Sequence, residues 1–348
     1  MKGIVFLGNR KLELREFPDP TPGPGEVVIA IKASGMCGSD LHPYRAVGDA
    51  AAALGLGGTG GLVIAGHEPC GVVAARGPGV SEDEAPTGAR VMNHHYKGCG
   101  RCKHCRVGWS QLCPNGIVVY GMTGHGGHAP YMKVPARTLV PLPDALSFEE
   151  GAAVSCGTGT AYGALKRLDV SGRDTLAVFG QGPVGLSATM LGRAMGARVI
   201  AIDVVPERLT LARELGADTV INAKETDPVT ALRALTHGEG VEASMDCTGN
   251  PDARVAAVRS AATWGRVCFV GEGNKTTFDI SQDMLRRQLT IHASWTFSAV
   301  GQEECARFIA GRKLPLKSLL THRFTLEQAE DAYRLFDTQT TGKGVFVP

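Results

Sequence analysis

TLAVFGQGPVG, residues 175–185, sets a glycine-rich turn directly behind a short apolar strand and ahead of a helical pattern. In that context each glycine has a reason. Gly180 permits the tight turn, Gly182 lets the backbone approach a pyrophosphate, and Gly185 lets helix pack on strand, with Pro183 and Val184 opening the helix whose N-terminus favours negative charge. The next apolar run, RVIAI, ends in Asp203, about 20 residues beyond the turn, where a carboxylate accepts hydrogen bonds from ribose hydroxyls and repels a 2′-phosphate. Val204, Val205 and Pro206 follow, so no Arg or Lys stands immediately beside it, and Arg208 joins the expected cofactor contacts. NAD is favoured over NADP.

Working outward, TVIN, EASMDC, RVCFV and QLTIH continue the alternation of strand and helix, with helices running through Leu191, Leu211 and Leu235 and another starting at Asp252. Six strands joined by helices of that length predict a doubly wound parallel sheet, an α/β Rossmann architecture. Before residue 150 the texture differs: Gly and Pro are frequent, and short alternating runs such as Val27, Ile29 and Ile31 predict a β-rich domain. An Ala/Gly loop from Ala50 to Gly61 is expected to be mobile, and Thr325 with Gln328 predicts a capping box opening a last helix to Phe336.

The chain has 348 residues, a size at which two domains are the first expectation. Its formal net charge of +2 offers no basic surface for nucleic acid, and MKGIVFLGNRKLELREF at the N-terminus carries no apolar stretch suited to a signal peptide or a membrane span. These features predict a cytoplasmic protein with a small-molecule partner, no nucleic acid and no membrane. In a reducing compartment, ten cysteines point to metal binding before disulfides.

CGRCKHCRVGWSQLC, residues 99–113, supplies Cys99, Cys102, Cys105 and Cys113, four thiols that fill a tetrahedral zinc and leave no position for substrate. That is the pattern of a structural site. A nucleic-acid-reading zinc ribbon normally draws its ligands from two knuckles far apart, whereas these share one short lobe. A second set is dispersed: Cys37, Ser39, Asp40 and His42 in GMCGSDLH, His67 and Glu68 in AGHEPCG, and Cys156 in SCGTGTAYG. Two thiolates and an imidazole make a catalytic zinc set with an open fourth corner. Spacing alone leaves Cys156 open between ligand and core residue.

Taken together, GMCGSDLH, GHE, the four-Cys lobe, GTGTAYGAL, GQGPVG and the closing TGKGVFV make the chain resemble, over nearly its whole length, the zinc-containing medium-chain dehydrogenases. These are the alcohol, polyol and threonine dehydrogenases. The resemblance implies a GroES-like β-rich catalytic domain over residues 1–150, completed by residues 295–348, and a Rossmann NAD-binding domain over residues 151–294. It implies Cys37, His67 and Cys156 as catalytic zinc ligands, with Glu68 behind the metal. Ser39 and His42 become a proton relay running through the ribose hydroxyls of NAD, and Asp40 the carboxylate that orients the histidine ligand. Two zincs per chain and NAD are the cofactors, a secondary alcohol or polyol the substrate, and a homo-oligomer, tetramer before dimer, the assembly.

Polyol and threonine members usually carry Asp or Glu where this chain has Cys156, whereas alcohol dehydrogenases usually carry Cys, which counts against the polyol members; a threonine or sugar dehydrogenase is the alternative enzyme. A zinc-free enone reductase would lack the Cys37, His67 and Cys156 set, and a non-catalytic zinc-binding protein would have no use for Ser39 and His42. Substrate selection is expected from loops after Gly48, around His94 and His95, and near Trp295. Lys343 is a candidate neighbour of the cofactor. Cys70, Cys247, Cys268 and Cys305 read as small buried hydrophobes.

Overall fold

The six strands of the dinucleotide half lie in the order Thr219–Asn222, Arg198–Asp203, Thr175–Phe179, Val241–Asp246, Ala261–Phe269 and Thr290–Ala293, every pair parallel. The structure is a computed structural model that describes residues 1–47 and 61–348. Apart from Gly61 the Ala/Gly loop lies outside the described residues, as does the segment that follows Gly48.

This strand order is that of the doubly wound fold, and it reverses direction beside the central strand Thr175–Phe179, where such folds bind ligands. Both faces of that strand are covered. Leu176 and Val178 point into one apolar cluster with Val199, Ala243 and Met245, while Ala177 and Phe179 enter another with Ile200, Ile202 and Val267. A strand buried on both sides reads as a continuous apolar run, which is why TLAVF stands out in the sequence. The helix Pro183–Ala194 follows, its first-turn proline giving up only an N–H that has no helical partner.

The second sheet has seven strands, and its path begins near the C-terminus: Leu320–Phe324, Lys343–Phe346, Glu26–Gly35, Glu68–Arg76, Arg90–Asn93 and Leu139–Pro141, with Tyr131–Pro135 paired to the start of Glu26–Gly35. The C-terminal strand returns to the N-terminal sheet through the pairs Val345 with Gly35 and Phe346 with Ser34. Glu26–Gly35 and Glu68–Arg76 are antiparallel with Gly35 opposite Glu68. That register leaves Cys37 and His67 just past the paired ends, on the side facing the dinucleotide sheet.

Between the sheets runs a helix that starts at Ser147, whose hydroxyl caps the Glu150 N–H while Glu150 returns to the Ser147 N–H. It loosens into a π-helical turn at Val154–Thr158 before resuming at Gly159–Arg167. Single π turns inside helices concentrate at functional sites, and this one carries Cys156. The expected capping box at Thr325 and Gln328 is present, with a 3-10 turn at Leu326–Gln328 leading into the helix Ala329–Asp337. Among the described residues no helix is long and apolar enough to cross a membrane.

Candidate active site

The three dispersed segments converge: one ligand atom each from Cys37, His67, Glu68 and Cys156 lie within 4.8 Å of one another, all four residues buried. The sulfurs of Cys37 and Cys156 are 3.8 Å apart, though the residues are 119 positions apart in sequence. Asp40 fixes two of the group at once. Its Oδ1 lies 2.8 Å from His67 Nδ1, and its Oδ2 accepts the Cys37 backbone N–H at 2.8 Å. Because a carboxylate only accepts, Nδ1 of His67 carries a proton, and although burial opposes it Asp40 and Cys37 raise the ring well above its ordinary range, so a cation at Nε2 would displace the second proton.

The electrostatics fit a cation. The Cys156 thiol, followed by His67, holds Cys37 well below the ordinary thiol range despite burial, while the same Cys37 contact pushes Cys156 well above it. Two touching thiols in a buried pocket therefore release one proton readily and retain the other until a positive charge arrives. Burial pushes Glu68 up to about 8, against the pull of Lys343. The Glu68 carboxylate is ion-paired to Lys343, and its Oε1 is buried with no hydrogen-bond partner among the described residues.

Lys343 differs from its sequence expectation. It does not line the cleft beside the cofactor turn; its ammonium is buried behind Glu68 and donates to Met36 O at 3.0 Å. His94 and His95 are both buried, and His95 forms part of the cleft wall, its Nδ1 2.9 Å from the Ser155 carbonyl oxygen. That contact makes Nδ1 the protonated nitrogen and leaves Nε2 an acceptor. Of the four cysteines without a motif, Cys70, Cys268 and Cys305 are buried, whereas Cys247 is half-buried in the cleft wall.

A single cleft of about 950 Å³ joins this cluster to the glycine-rich turn. Ser39, His42 and Trp295 line it near the cysteines; Gly180, Gly182, Pro183, Val184, Asp203 and Arg208 line it at the other end. Gly180 has a φ of +88°, and a Cβ on Gly185 would stand 1.7 Å from Gly180 O, so the turn closes only with glycine at both positions. Asp203 accepts backbone N–H groups from Gln181, Val204 and Val205, which anchors the carboxylate at the rim. Arg208 stands beside it with a buried Nε that has no partner among the described residues. Ser39 Oγ lies 3.9 Å from Cys37 Sγ, and His42 is exposed at the mouth.

The four-Cys lobe forms a second cluster with its sulfurs within 4.8 Å of one another. Backbone N–H groups of Cys99, Cys102 and Cys105 point at the sulfurs of Cys113, Cys99 and Cys102, and Asn115 Nδ2 donates to Cys99 at 3.3 Å. The Asn115 contact, then the backbone donors, hold Cys99 down at about 5. Donors aimed at sulfur favour thiolates, the form that binds metal.

The chain is similar to known proteins over its whole length. The model for alcohol dehydrogenase GroES-like domains matches residues 23–144, and that for zinc-binding dehydrogenases matches residues 183–310. An uncharacterised zinc-type alcohol dehydrogenase-like protein of Escherichia coli K12 is 42% identical over 99% of this chain and 98% of its own. Sorbitol dehydrogenase of Bacillus subtilis is 30% identical over 95% of this chain and 92% of its own. Among solved structures, an alcohol dehydrogenase from Thermus sp. ATN1 superimposes with a TM-score of 0.87 at 30% identity, covering 100% of this chain and 99% of the other. With two thiol-rich clusters and a dinucleotide turn on the fold those relatives share, the chain belongs to the zinc-binding alcohol dehydrogenases, oxidoreductases that act on CH–OH groups.

Proposed function

We propose that the protein oxidises a secondary alcohol or polyol to the ketone with NAD, and reduces the ketone in the reverse direction. The observation that carries this reading is the one cleft with Cys37, His67 and Cys156 at one end and the Gly180–Gly185 turn with Asp203 at the other. In this reading Cys37, His67 and Cys156 hold a catalytic zinc with Glu68 behind it, and Cys99, Cys102, Cys105 and Cys113 hold a structural one. When bound, zinc supplies a Lewis acid that makes a substrate hydroxyl easier to deprotonate, and NAD supplies the hydride acceptor.

The chain's own residues do the rest. Ser39 Oγ, which lines the cleft beside Cys37, takes the hydroxyl proton and passes it toward His42, whose exposed ring returns it to water. Asp40 holds His67 in the tautomer that presents Nε2. His95, fixed through Nδ1, keeps an acceptor nitrogen beside the substrate end of the cleft. The turn residues Gly180, Gly182, Pro183, Val184 and Gly185 take the pyrophosphate, and Asp203 takes the ribose hydroxyls with Arg208 alongside.

The test is NADH formation across secondary alcohols, polyols and threonine, with zinc counted per chain. Turnover of a polyol or secondary alcohol with two zincs is the expected result. Threonine turnover alone would reassign the substrate, and no dehydrogenation with either would sink the reading.

Two further outcomes follow. Asp203→Ala should raise the KM for NAD about 10–100-fold, the worth of hydrogen bonds to a charged acceptor, and narrow the preference over NADP, as read from initial rates with each coenzyme. Cys102→Ala should remove one zinc and advance the onset of thermal unfolding by several degrees, because the irregular lobe is held by metal more than by apolar contacts, with kcat at 25 °C changed less than about tenfold.

The same reading takes residues 1–150 with 295–348 as the catalytic domain and residues 151–294 as the NAD domain. Ten free cysteines support a reducing cytoplasmic setting. A homo-oligomer, read as tetramer before dimer, draws support for association alone from the edge strand Thr290–Ala293, which among the described residues is paired on one side and carries the exposed Ile291.

A further inference from the structure

The four-Cys lobe reaches further than its own sulfurs. Gln111 stands in the 3-10 turn Ser110–Leu112, just ahead of Cys113, and its side chain leaves the lobe: Nε2 lies 2.8 Å from Thr296 Oγ1 and 2.8 Å from the Phe297 carbonyl oxygen. A carbonyl only accepts, so the end of the amide at Phe297 is the nitrogen, and both of its N–H groups are spent on one segment. Gln111 is 4% exposed, and its Oε1 is buried with no hydrogen-bond partner among the described residues. An idle buried carbonyl costs free energy, which sets the value of this side chain in what its nitrogen holds.

What it holds is strained. Thr296, between the strand Thr290–Ala293 and the helix Ala299–Arg312, has a φ of +55°, in the left-handed region that a β-branched residue rarely enters. Such a backbone persists only where its surroundings over-determine it, and it concentrates at ligand clamps and active sites. Here Gln111 holds one side and the helix Gly159–Arg167 the other, where a Cβ on Gly159 would stand 3.0 Å from the Phe297 ring. A second bond ties the segment to the lobe, from the Ala299 N–H to Gly108 O at 3.0 Å.

The held segment is a wall of the cleft. Trp295 and Thr296 line it, with the Trp295 ring 5.7 Å from that of Tyr96. Phe297 is 1% exposed and meets His95 edge-on at 5.7 Å, and the His95 ring lies 5.2 Å from that of His67. An extended strand would send residues 295 and 297 to the same side. The turn at Thr296 lets Trp295 face the cleft while Phe297 is packed in the core against His95.

We propose that Gln111 is a positioning residue for the substrate side of the cleft: by holding Thr296 in the left-handed conformation, it sets Trp295 against the cleft and Phe297 against His95. The lobe then shapes substrate fit without touching substrate or coenzyme. Its part in substrate binding rests on the dehydrogenase reading above; the clamp itself does not.

The experiment compares zinc-loaded full-length wild type, Gln111→Leu, Thr296→Gly and the double variant. Backbone hydrogen exchange of peptides spanning 294–299 is followed by mass spectrometry, alongside zinc per chain and initial rates with 2-butanol and with sorbitol. Gln111→Leu should speed exchange of the Ala299 amide about tenfold, the effect of one or two lost hydrogen bonds, while peptides spanning 98–114 and the zinc content stay as in wild type. The KM for the alcohol should rise about 5–30-fold, with kcat within about threefold and the KM for NAD within about twofold, because the wall meets substrate alike before and during the reaction. Glycine enters the left-handed region without strain, so adding Gln111→Leu to Thr296→Gly should change exchange less than about threefold. Wild-type exchange over 294–299 in Gln111→Leu, or a wild-type KM for an alcohol that is turned over, would overturn the proposal. So would loss of zinc or faster exchange across 98–114, which would make Gln111 a support of the lobe alone, and so would equal effects of Gln111→Leu in the Thr and Gly backgrounds. No NADH from either alcohol, with the exchange pattern as expected, would instead overturn the dehydrogenase reading and leave the clamp standing.

Discussion

Cys37→Ala is expected to leave a folded protein that holds one zinc where wild type holds two and reduces NAD at least about 1,000-fold more slowly. The magnitude follows from the role. Lewis-acid stabilisation of developing charge is worth several kcal/mol, and each 1.36 kcal/mol is about a factor of ten in rate. Removing one of three protein ligands leaves His67 and Cys156, too few to hold the metal at the cleft. The fold should survive because the contact that seats this residue is made by its backbone: the N–H at position 37 donates to Asp40 Oδ2 whatever the side chain. Loss of a small buried thiol opens little space. Zinc per chain, circular dichroism and initial rates together check the prediction. Two zincs in the variant with activity intact would show that the catalytic centre lies elsewhere.

The contrast with the four-Cys lobe bears on how the two clusters differ. The ligands of the lobe lie within 15 consecutive residues, 99–113, so the metal organises a segment that has only a short helix, Lys103–Arg106, and a 3-10 turn, Ser110–Leu112, of its own. The dispersed ligands instead sit on elements already fixed by the sheet register and by the helix that passes between the sheets. In the proposed reading metal is a fold determinant in the first case and a reactant's partner in the second.

That difference also explains what could be read in advance. The parallel sheet was legible because its information is local: TLAVF coincides with Thr175–Phe179, TVIN with Thr219–Asn222, and the order of strands follows from right-handed crossovers. RVCFV fared less well, since the strand begins earlier, at Ala261, and carries an irregular register and a Trp264 with a φ of +66°. The four-Cys lobe was legible for the same local reason. Cys156 was not settled by spacing, because its partner lies in another segment and its π-helical turn leaves no mark in SCGTGTAYG. Ser34, His128 and Tyr333 were invisible. Each is an ordinary residue in its own segment, and only the tertiary fold brings His128 to Tyr333 across 205 positions. Lys343 was noticed for the wrong neighbour, because nothing near TGKG says that its strand will pair beside Gly35 and set the ammonium under Glu68.

Lys343→Met is expected to destabilise the protein by about 3–5 kcal/mol, the usual cost of stripping one partner from a buried ion pair. Lys343 and Glu68 side chains are 1% and 0% exposed, so water cannot take over from either partner. Methionine matches the length and volume of the lysine stem, which confines the loss to the charge and to the hydrogen bond given to Met36 O. Glu68→Gln should be costly for the mirror reason, since it strands the ammonium. The double variant Lys343→Met/Glu68→Gln should recover most of the loss, because replacing both members of a buried pair removes the desolvation cost along with the attraction. Urea unfolding of the four proteins, zinc-loaded and at one pH, measures the cycle. A single variant within about 1 kcal/mol of wild type would mean that the pair is solvated after all. The pair also joins the last strand to the strand Glu68–Arg76 of the catalytic sheet: Gly35, opposite Glu68, has no Cβ, and a Cβ there would stand 2.0 Å from Glu68 Oε2 and 3.1 Å from Lys343 Cε. Truncating the C-terminal strand should therefore do more than shorten an edge, because it would leave a buried carboxylate beside the metal ligands without its counter-ion.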